Sequence, residues 1–287
     1  MRCGFHLASL PHHDFCLVAD ALFAMGYRDV AVRVKTAWFG EGAGTKQLVA
    51  KLSLLRESGL GIVIDGDGKF LVDPWDAAAP RLGSENQSPA REAMLMRLIE
   101  VANQVNSKLI TFSVGNGGEA EAADDVLKRI AESIDRLVVA GQHAEVALGI
   151  KPVIGSAIET GSHFRRLQQW LPETIAKSPY LGFAADISVM ARRGELPIGD
   201  RLARELTVTN CVYLSDIAVD TGGETRFGHG DLAINRIVKS LEEMGYTGPL
   251  VLRCEGHGDA GLGIAAEAIS RVMEKPLMEN RRRGDKA

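Results

Sequence analysis

The sequence predicts a single (β/α)8 barrel of the α/β class, and three observations carry that prediction. Eight short apolar runs alternate with segments of helical spacing along 287 residues, a length ordinary for this architecture. Connections from helix to strand are short, whereas those from strand to helix are long. The strands also end in polar and charged residues, as they do where a barrel opens to a site at its carboxyl ends.

Each element has its own signature. Cys3 to Leu7 reads as the first strand, and His13 to Met25 follows as a helix with Phe15, Val18 and Leu22 on one face and Gly26 as its stop. Val30 to Val34 is the second strand. Its helix, Lys46 to Glu57, carries Leu48, Leu52 and Leu55 and ends at Gly59; Gly61 to Ile64 is the third strand. Ser88 followed by Pro89 suits a helix start, and Leu95, Leu98, Ile99, Ala102 and Val105 line the helix that leads to Leu109 to Val114. A long amphipathic helix from Glu119 to Ala140 precedes the fifth strand, Val146 to Ile150. The second half continues with a helix from Ser162 to Ala176, a strand at Leu181 to Ala185, a helix near Asp200 to Leu206 and a strand at Cys211 to Leu214. A helix from Asp231 to Met244, the apolar run Leu250 to Leu252 and a helix from Gly263 to Met273 close the series. The barrel is expected to occupy residues 1–277, and residues 278–287 form a polar, partly basic tail.

Composition bounds the partners. With 46% hydrophobic residues and a net charge of −4, the chain has ample core and no basic stripe, so nucleic acid is not an expected partner. No apolar run has the length to span a bilayer. Cys3, Cys16, Cys211 and Cys254 show no CxxC spacing and lie in or beside apolar runs, which predicts reduced thiols and a cytoplasmic protein. Neither a GxGxxG after a strand, nor a P-loop, nor a nucleophile elbow is present.

The long loops, Lys35 to Thr45, Asp65 to Ser88, Pro152 to Gly161, Ile187 to Gly199 and Ser215 to Gly230, all follow strands and fall on one face, the face where sites are built. The longest holds Phe70 and Trp75 and is read as a candidate lid. At the strand ends stand His6, Asp65, Lys151, Asp186, Tyr213, Asp216 and Glu255, which a barrel brings to one mouth.

Three segments carry a resemblance. LGFAADISVMARRGE (Leu181 to Glu195) resembles a "glycine, apolar, Asp, two residues, His" segment, YLSDIAVDTGGETRFGHGDL (Tyr213 to Leu232) resembles a seventh-strand segment, and GYTGPLVLRCEGHG resembles a closing GYxGxxxxE. Together they are similar to the xylose isomerase-like TIM barrels, which include sugar-phosphate isomerases and epimerases, the tagatose epimerase type and endonuclease IV relatives. The resemblance covers most of the chain. It implies a sugar or sugar-phosphate isomerase or epimerase that moves a proton next to a carbonyl of a small polyhydroxylated substrate, and it implies a homo-oligomer. It also implies a divalent metal, Mn²⁺, Co²⁺, Zn²⁺ or Mg²⁺, held by Glu, Asp, His and Glu on strands five to eight.

Two of those ligands survive as Asp186 and Glu255. The strand-five position is Lys151, the strand-seven position is Tyr213, and the expected histidine after Asp186 is Val189. A lysine puts positive charge where a cation belongs, and a protonated tyrosine is a poor ligand, so the expected site is degenerate or metal-free. One expectation is that Lys151 bridges Asp186 and Glu255, with Lys151, Glu255 and Tyr213 as catalytic groups. His6, Asp65, Arg226, His229 and His257 are candidate substrate-binding residues, Arg226 resembling the family's substrate-contacting arginine. The alternative is a non-catalytic sugar- or metabolite-binding barrel, or a partner subunit. Repair of abasic DNA would need more metal-binding residues and a basic surface.

Overall fold

In the computed structural model, which describes residues 1–10, 12–33, 43–67, 80–116, 123–255 and 261–273, eight parallel strands close into a barrel. They are β1 (Arg2–His6), β2 (Asp29–Arg33), β3 (Gly61–Asp65), β4 (Leu109–Phe112), β5 (Ala147–Ile150), β6 (Leu181–Asp186), β7 (Thr209–Leu214) and, after a small hairpin, β10 (Pro249–Leu252). Each pairs with its sequence neighbour, and β10 lies between β7 and β1. The antiparallel hairpin of β8 (Asp216–Ala218) and β9 (Gly223–Thr225) sits in the connection after β7. The closed parallel sheet is the predicted (β/α)8 fold.

Helices α1 (Phe15–Ala24), α2 (Ala43–Glu57), α3 (Ser88–Gln104) and α4 (Ala123–Ala144) follow the first four strands. The predicted helix from Ser162 to Ala176 is two helices, α5 (Gly161–Gln168) and α6 (Glu173–Ala176), because Pro172 lacks an N–H and caps the second piece instead of continuing the first. After β6 come α7 (Ile187–Arg192), which the sequence did not signal, and α8 (Ile198–Glu205); α9 (Ile234–Glu243) and α10 (Leu262–Met273) complete the set. The helix expected from Asp231 starts only at Ile234. Asp231 is instead tied to the hairpin: its N–H donates to the Ile217 carbonyl and its carboxylate accepts the Val219 N–H.

Two glycines end helices, the first of them as predicted. Gly26 (φ 103°) and Gly245 (φ 74°) take the left-handed conformation that side chains disfavour. The tyrosine after each is buried and anchors the turn, Tyr27 donating to the Ala265 carbonyl and Tyr246 to that of Pro249.

The core has two parts. Outward-facing strand residues such as Phe5, Val30, Ile64, Ile110, Leu148, Leu214 and Leu252 pack against the helices. Inside the barrel a separate cluster forms from Ala31, Val63, Leu109, Ala184, Cys211, Tyr213 and Val251, with Ala147 against it. Among the described residues no helix is long and apolar enough to cross a membrane. Cys3, Cys211 and Cys254 are free thiols. Residues 68–79 of the candidate lid, His257 and the tail lie outside the described residues.

Candidate active site

Side chains along a strand alternate between faces with a period of two. Two residues on from the apolar lining, the interior positions turn polar on every strand: His6, Arg33, Asp65, Thr111, Lys151, Asp186, Tyr213 and Arg253. The last strand residues and those just beyond them remain in register. Lys151 N–H still donates to the Phe112 carbonyl and Arg253 N–H to that of Leu214. The barrel thus carries a ring of eight polar groups, one per strand, above an apolar plug.

Asp65 is the hub. Its carboxylate is fully buried and faces the Lys151 ammonium at 2.6 Å, His6 Nε2 at 3.0 Å and Arg33 Nε at 3.2 Å. Burial alone would raise its pKa, but Lys151, His6 and Arg33 outweigh that and hold it well below the carboxylate range. His6 is neutral, its pKa lowered chiefly by burial. The Ala8 N–H donates to His6 Nδ1 at 3.2 Å, so the ring proton sits on Nε2 and is donated to Asp65. Both nitrogens are therefore committed, and His6 acts here as a fixed hydrogen-bond donor.

Lys151 reaches a second carboxylate, Asp67, at 3.0 Å. Burial would lower its pKa, yet Asp65 and Asp67 keep the ammonium above its ordinary value. Asp67 in turn accepts from the Ser113 N–H and hydroxyl and pairs with buried Arg91 at 2.9 Å. The expected bridge from Lys151 to Asp186 and Glu255 is not the arrangement found. Lys151 pairs with the carboxylates of the third strand and its loop, because arginines already close the other two.

Arg253 Nη1 lies 3.0 Å from Asp186 Oδ2, and its other nitrogens meet Glu224 and the Ser188 hydroxyl. The remaining oxygen of Asp186 caps α7, accepting the N–H groups of Ser188 and Val189 and the Ser188 hydroxyl. Burial raises the Asp186 pKa, and Arg253 and Ser188 more than reverse this. Glu255 receives a two-pronged contact from Arg33, at 2.9 and 2.6 Å. Despite burial, Arg33 brings its pKa down to about 2. Glu255 and Arg33 are the reachable members of the network, with side chains 34% and 28% exposed.

Tyr213 is fully buried, its hydroxyl 2.7 Å from Thr111 Oγ1 and its ring 5.2 Å below the Lys151 ammonium. Burial, then Asp65, pushes its pKa well up, so it stays protonated. Arg226 and His229 are exposed and engaged with Glu267 of α10. Asp216 anchors its loop by accepting the N–H groups of Ile217, Gly228, Gly230 and Leu232.

Sequence reading thus brought His6, Asp65, Lys151, Asp186, Tyr213 and Glu255 together and missed Arg33, Thr111 and Arg253. The missing signal was the two-residue step itself: each follows an inward apolar residue, Ala31, Leu109 or Val251, by two. As for a divalent metal, the donor set does not fit one. The oxygens of Asp186 and Glu255 are taken by arginines and amides, Lys151 and Tyr213 stand at the other two ligand positions, and among the described residues no group of three His, Cys, Asp or Glu side chains is arranged to hold an ion.

The family model for the xylose isomerase-like TIM barrel matches residues 19–275. No curated protein sequence matches the chain. Solved structures with a similar fold include a 3-keto-D-glucoside 4-epimerase from E. coli, with 14% identity over 95% of this chain and 98% of that one and a TM-score of 0.74. A probable 3-DHS dehydratase from Bacillus anthracis has 12% identity over 96% and 100% of the two chains and a TM-score of 0.73. A D-psicose 3-epimerase from Clostridium cellulolyticum H10 has 13% identity over 95% and 97% and a TM-score of 0.72.

Proposed function

The chain belongs to the xylose isomerase-like TIM-barrel family, and from that premise we propose that it is an isomerase- or epimerase-type enzyme acting on a small polyhydroxylated carbonyl compound. It moves a proton on the carbon next to the carbonyl, at a site without a metal. One observation carries the reading: Glu255, at the end of the last barrel strand, is a partly exposed carboxylate kept ionised by the Arg33 guanidinium beside it.

Glu255 accepts the proton. A carboxylate with so low a pKa is a weak base, and the offset is stabilisation of the negative charge that develops on the substrate oxygen, where oriented cations act without reorganising. Lys151 and Tyr213 lie beneath and hold the floor, Lys151 by fixing Asp65 and Asp67 and Tyr213 through Thr111. His6 and Asp65 set the geometry of Arg33. The sugar substrates of the structural neighbours, D-tagatose among them, support the substrate class. A cytoplasmic, homo-oligomeric protein without a nucleic-acid partner goes with this reading, and the free thiols are in keeping with it.

The test is loss of the C–H signal of ketoses and aldoses in D₂O, followed by proton NMR. Exchange by the native chain, falling about 10²–10⁴-fold in Glu255→Gln, is the expected result. A second reading, a metabolite-binding barrel without turnover, is favoured by one observation: Asp65, Asp67, Asp186, Glu224 and Glu255 are all paired with a cation. Calorimetric binding of a sugar that undergoes no exchange would establish it in place of the first.

A further inference from the structure

Across the mouth, the two carboxylates that resemble metal ligands are each closed by an arginine from a different strand end. Asp186 meets Arg253 at 3.0 Å, and Glu255 meets Arg33 at 2.9 and 2.6 Å. We propose that Arg33 and Arg253, together with Lys151, are the built-in replacement for a divalent ion, and that Arg33 is the catalytic residue that binds the substrate's carbonyl oxygen. The assignment rests on the isomerase-type reading and names the electrophile it needs.

Geometry separates the three cations by role. Lys151 and Arg253 are buried, with side chains 5% and 9% exposed, and are committed to the third-strand carboxylates and to Asp186 with Glu224, respectively. They neutralise. Arg33 is reachable. A guanidinium has five N–H groups; three of Arg33's point at carboxylates, Nε at Asp65 and one from each terminal nitrogen at Glu255. Among the described residues, one N–H on each terminal nitrogen is left for a ligand. Asp65 and Glu255 hold the guanidinium plane from two sides, so those donors are oriented before any substrate arrives.

The donors also lie beside the base. When Glu255 takes the proton from the carbon next to the carbonyl, the C–H electron pair becomes the carbon–carbon double bond of the enediolate. The carbonyl π pair moves onto oxygen, and a spare Arg33 N–H donates to that oxygen. Glu255 then returns the proton to the other carbon of the enediolate while the hydroxyl proton passes between the two oxygens, so an aldose and a ketose interconvert and no redox partner enters. A divalent ion in this place would have to displace a two-pronged guanidinium from Glu255 and the Arg253 guanidinium from Asp186.

Two measurements decide the assignment. The native chain is incubated with Mn²⁺, Co²⁺, Zn²⁺ or Mg²⁺, desalted and analysed for metal, an arm that needs no substrate. No retained metal is expected, and near-stoichiometric metal overturns the proposal even if exchange is never seen. On a carbonyl compound that shows exchange, Arg33→Met is expected to lower kcat about 10²–10³-fold with a much smaller change in KM, with partial recovery on adding guanidinium and in Arg33→Lys, and with no effect of chelator on the native chain. An unchanged kcat in a folded Arg33→Met or Arg33→Lys chain, or loss of native exchange on chelation, overturns it. Failure of every carbonyl compound to exchange refutes the isomerase-type reading itself, and with it Arg33's part in the reaction, while the metal arm still decides whether the cations replace an ion.

Discussion

Lys151 shows how a single buried charge organises its surroundings. Its ammonium is enclosed with two carboxylates, and removing one partner of a buried pair leaves the others uncompensated. Lys151→Met is therefore expected to lower the unfolding free energy by ~3–5 kcal/mol, read by denaturant titration. Replacing an exposed pair such as Lys108 with Glu145 should change little by the same measurement. His6 makes a different prediction. Its folded pKa is depressed below the ordinary 6.5, so the unfolded chain takes up the proton first. The stability it contributes is complete above about pH 6.5 and is lost as the pH falls through its folded value. In His6→Gln the part of the decline in melting temperature that begins below pH 6.5 should be gone. At this scale the sequence was partly legible. Residue type and strand-end position identified Lys151, but not its partner, since which carboxylate it meets depends on the arginines that had already taken Asp186 and Glu255.

Among the elements, the strands were the most legible, because an apolar run of four to six residues bounded by glycine and charge leaves few alternatives. The short pieces were not. The hairpin of β8 and β9 has three residues per strand and carries no periodicity, and α7 is recognisable only through Asp186, whose carboxylate caps it. The loop after the hairpin depends on Asp216, which gathers backbone N–H groups from Gly228, Gly230 and Leu232. Asp216→Ala leaves those donors without their acceptor, each at about 1–3 kcal/mol if it stays buried. The expected outcome is faster hydrogen exchange confined to those amides, with the barrel strands still protected; uniform loss of protection would show that the loop and barrel open as one unit.

For the whole molecule, acid and base act through the same ring. Asp65, Asp67, Asp186 and Glu255 all have lowered pKa values in the folded chain. Their stabilisation is present above the ordinary carboxylate values of 3.8 for Asp and 4.5 for Glu and is lost as the pH falls, for Glu255 through about 2. Lys151 works in the opposite direction: raised above 10.5, it stabilises below that value and ceases to as the pH rises through its folded pKa. Melting temperature should consequently be highest between about pH 6.5 and 9, above which the unfolded chain ionises the thiols of Cys3, Cys211 and Cys254 first, and fall steeply below about 4.5. A flat profile down to pH 3 would contradict the ionised network.

A closed sheet must be joined where its first and last strands meet, and here that join has a clasp. Arg33, on β2, reaches past β1 to Glu255, which lies 222 residues later in the chain, and Ser9 receives the Cys254 N–H on the same side. The clasp snaps shut only after β10 has docked, so until then Glu255 stays in water and Arg33 has Asp65 alone as its carboxylate. Acid works the same fastening from the other end: protonating Glu255 loosens its hold on Arg33 and leaves the join between the first and last strands to their backbone ladder, as a bracelet is left on its hinge when the catch is opened.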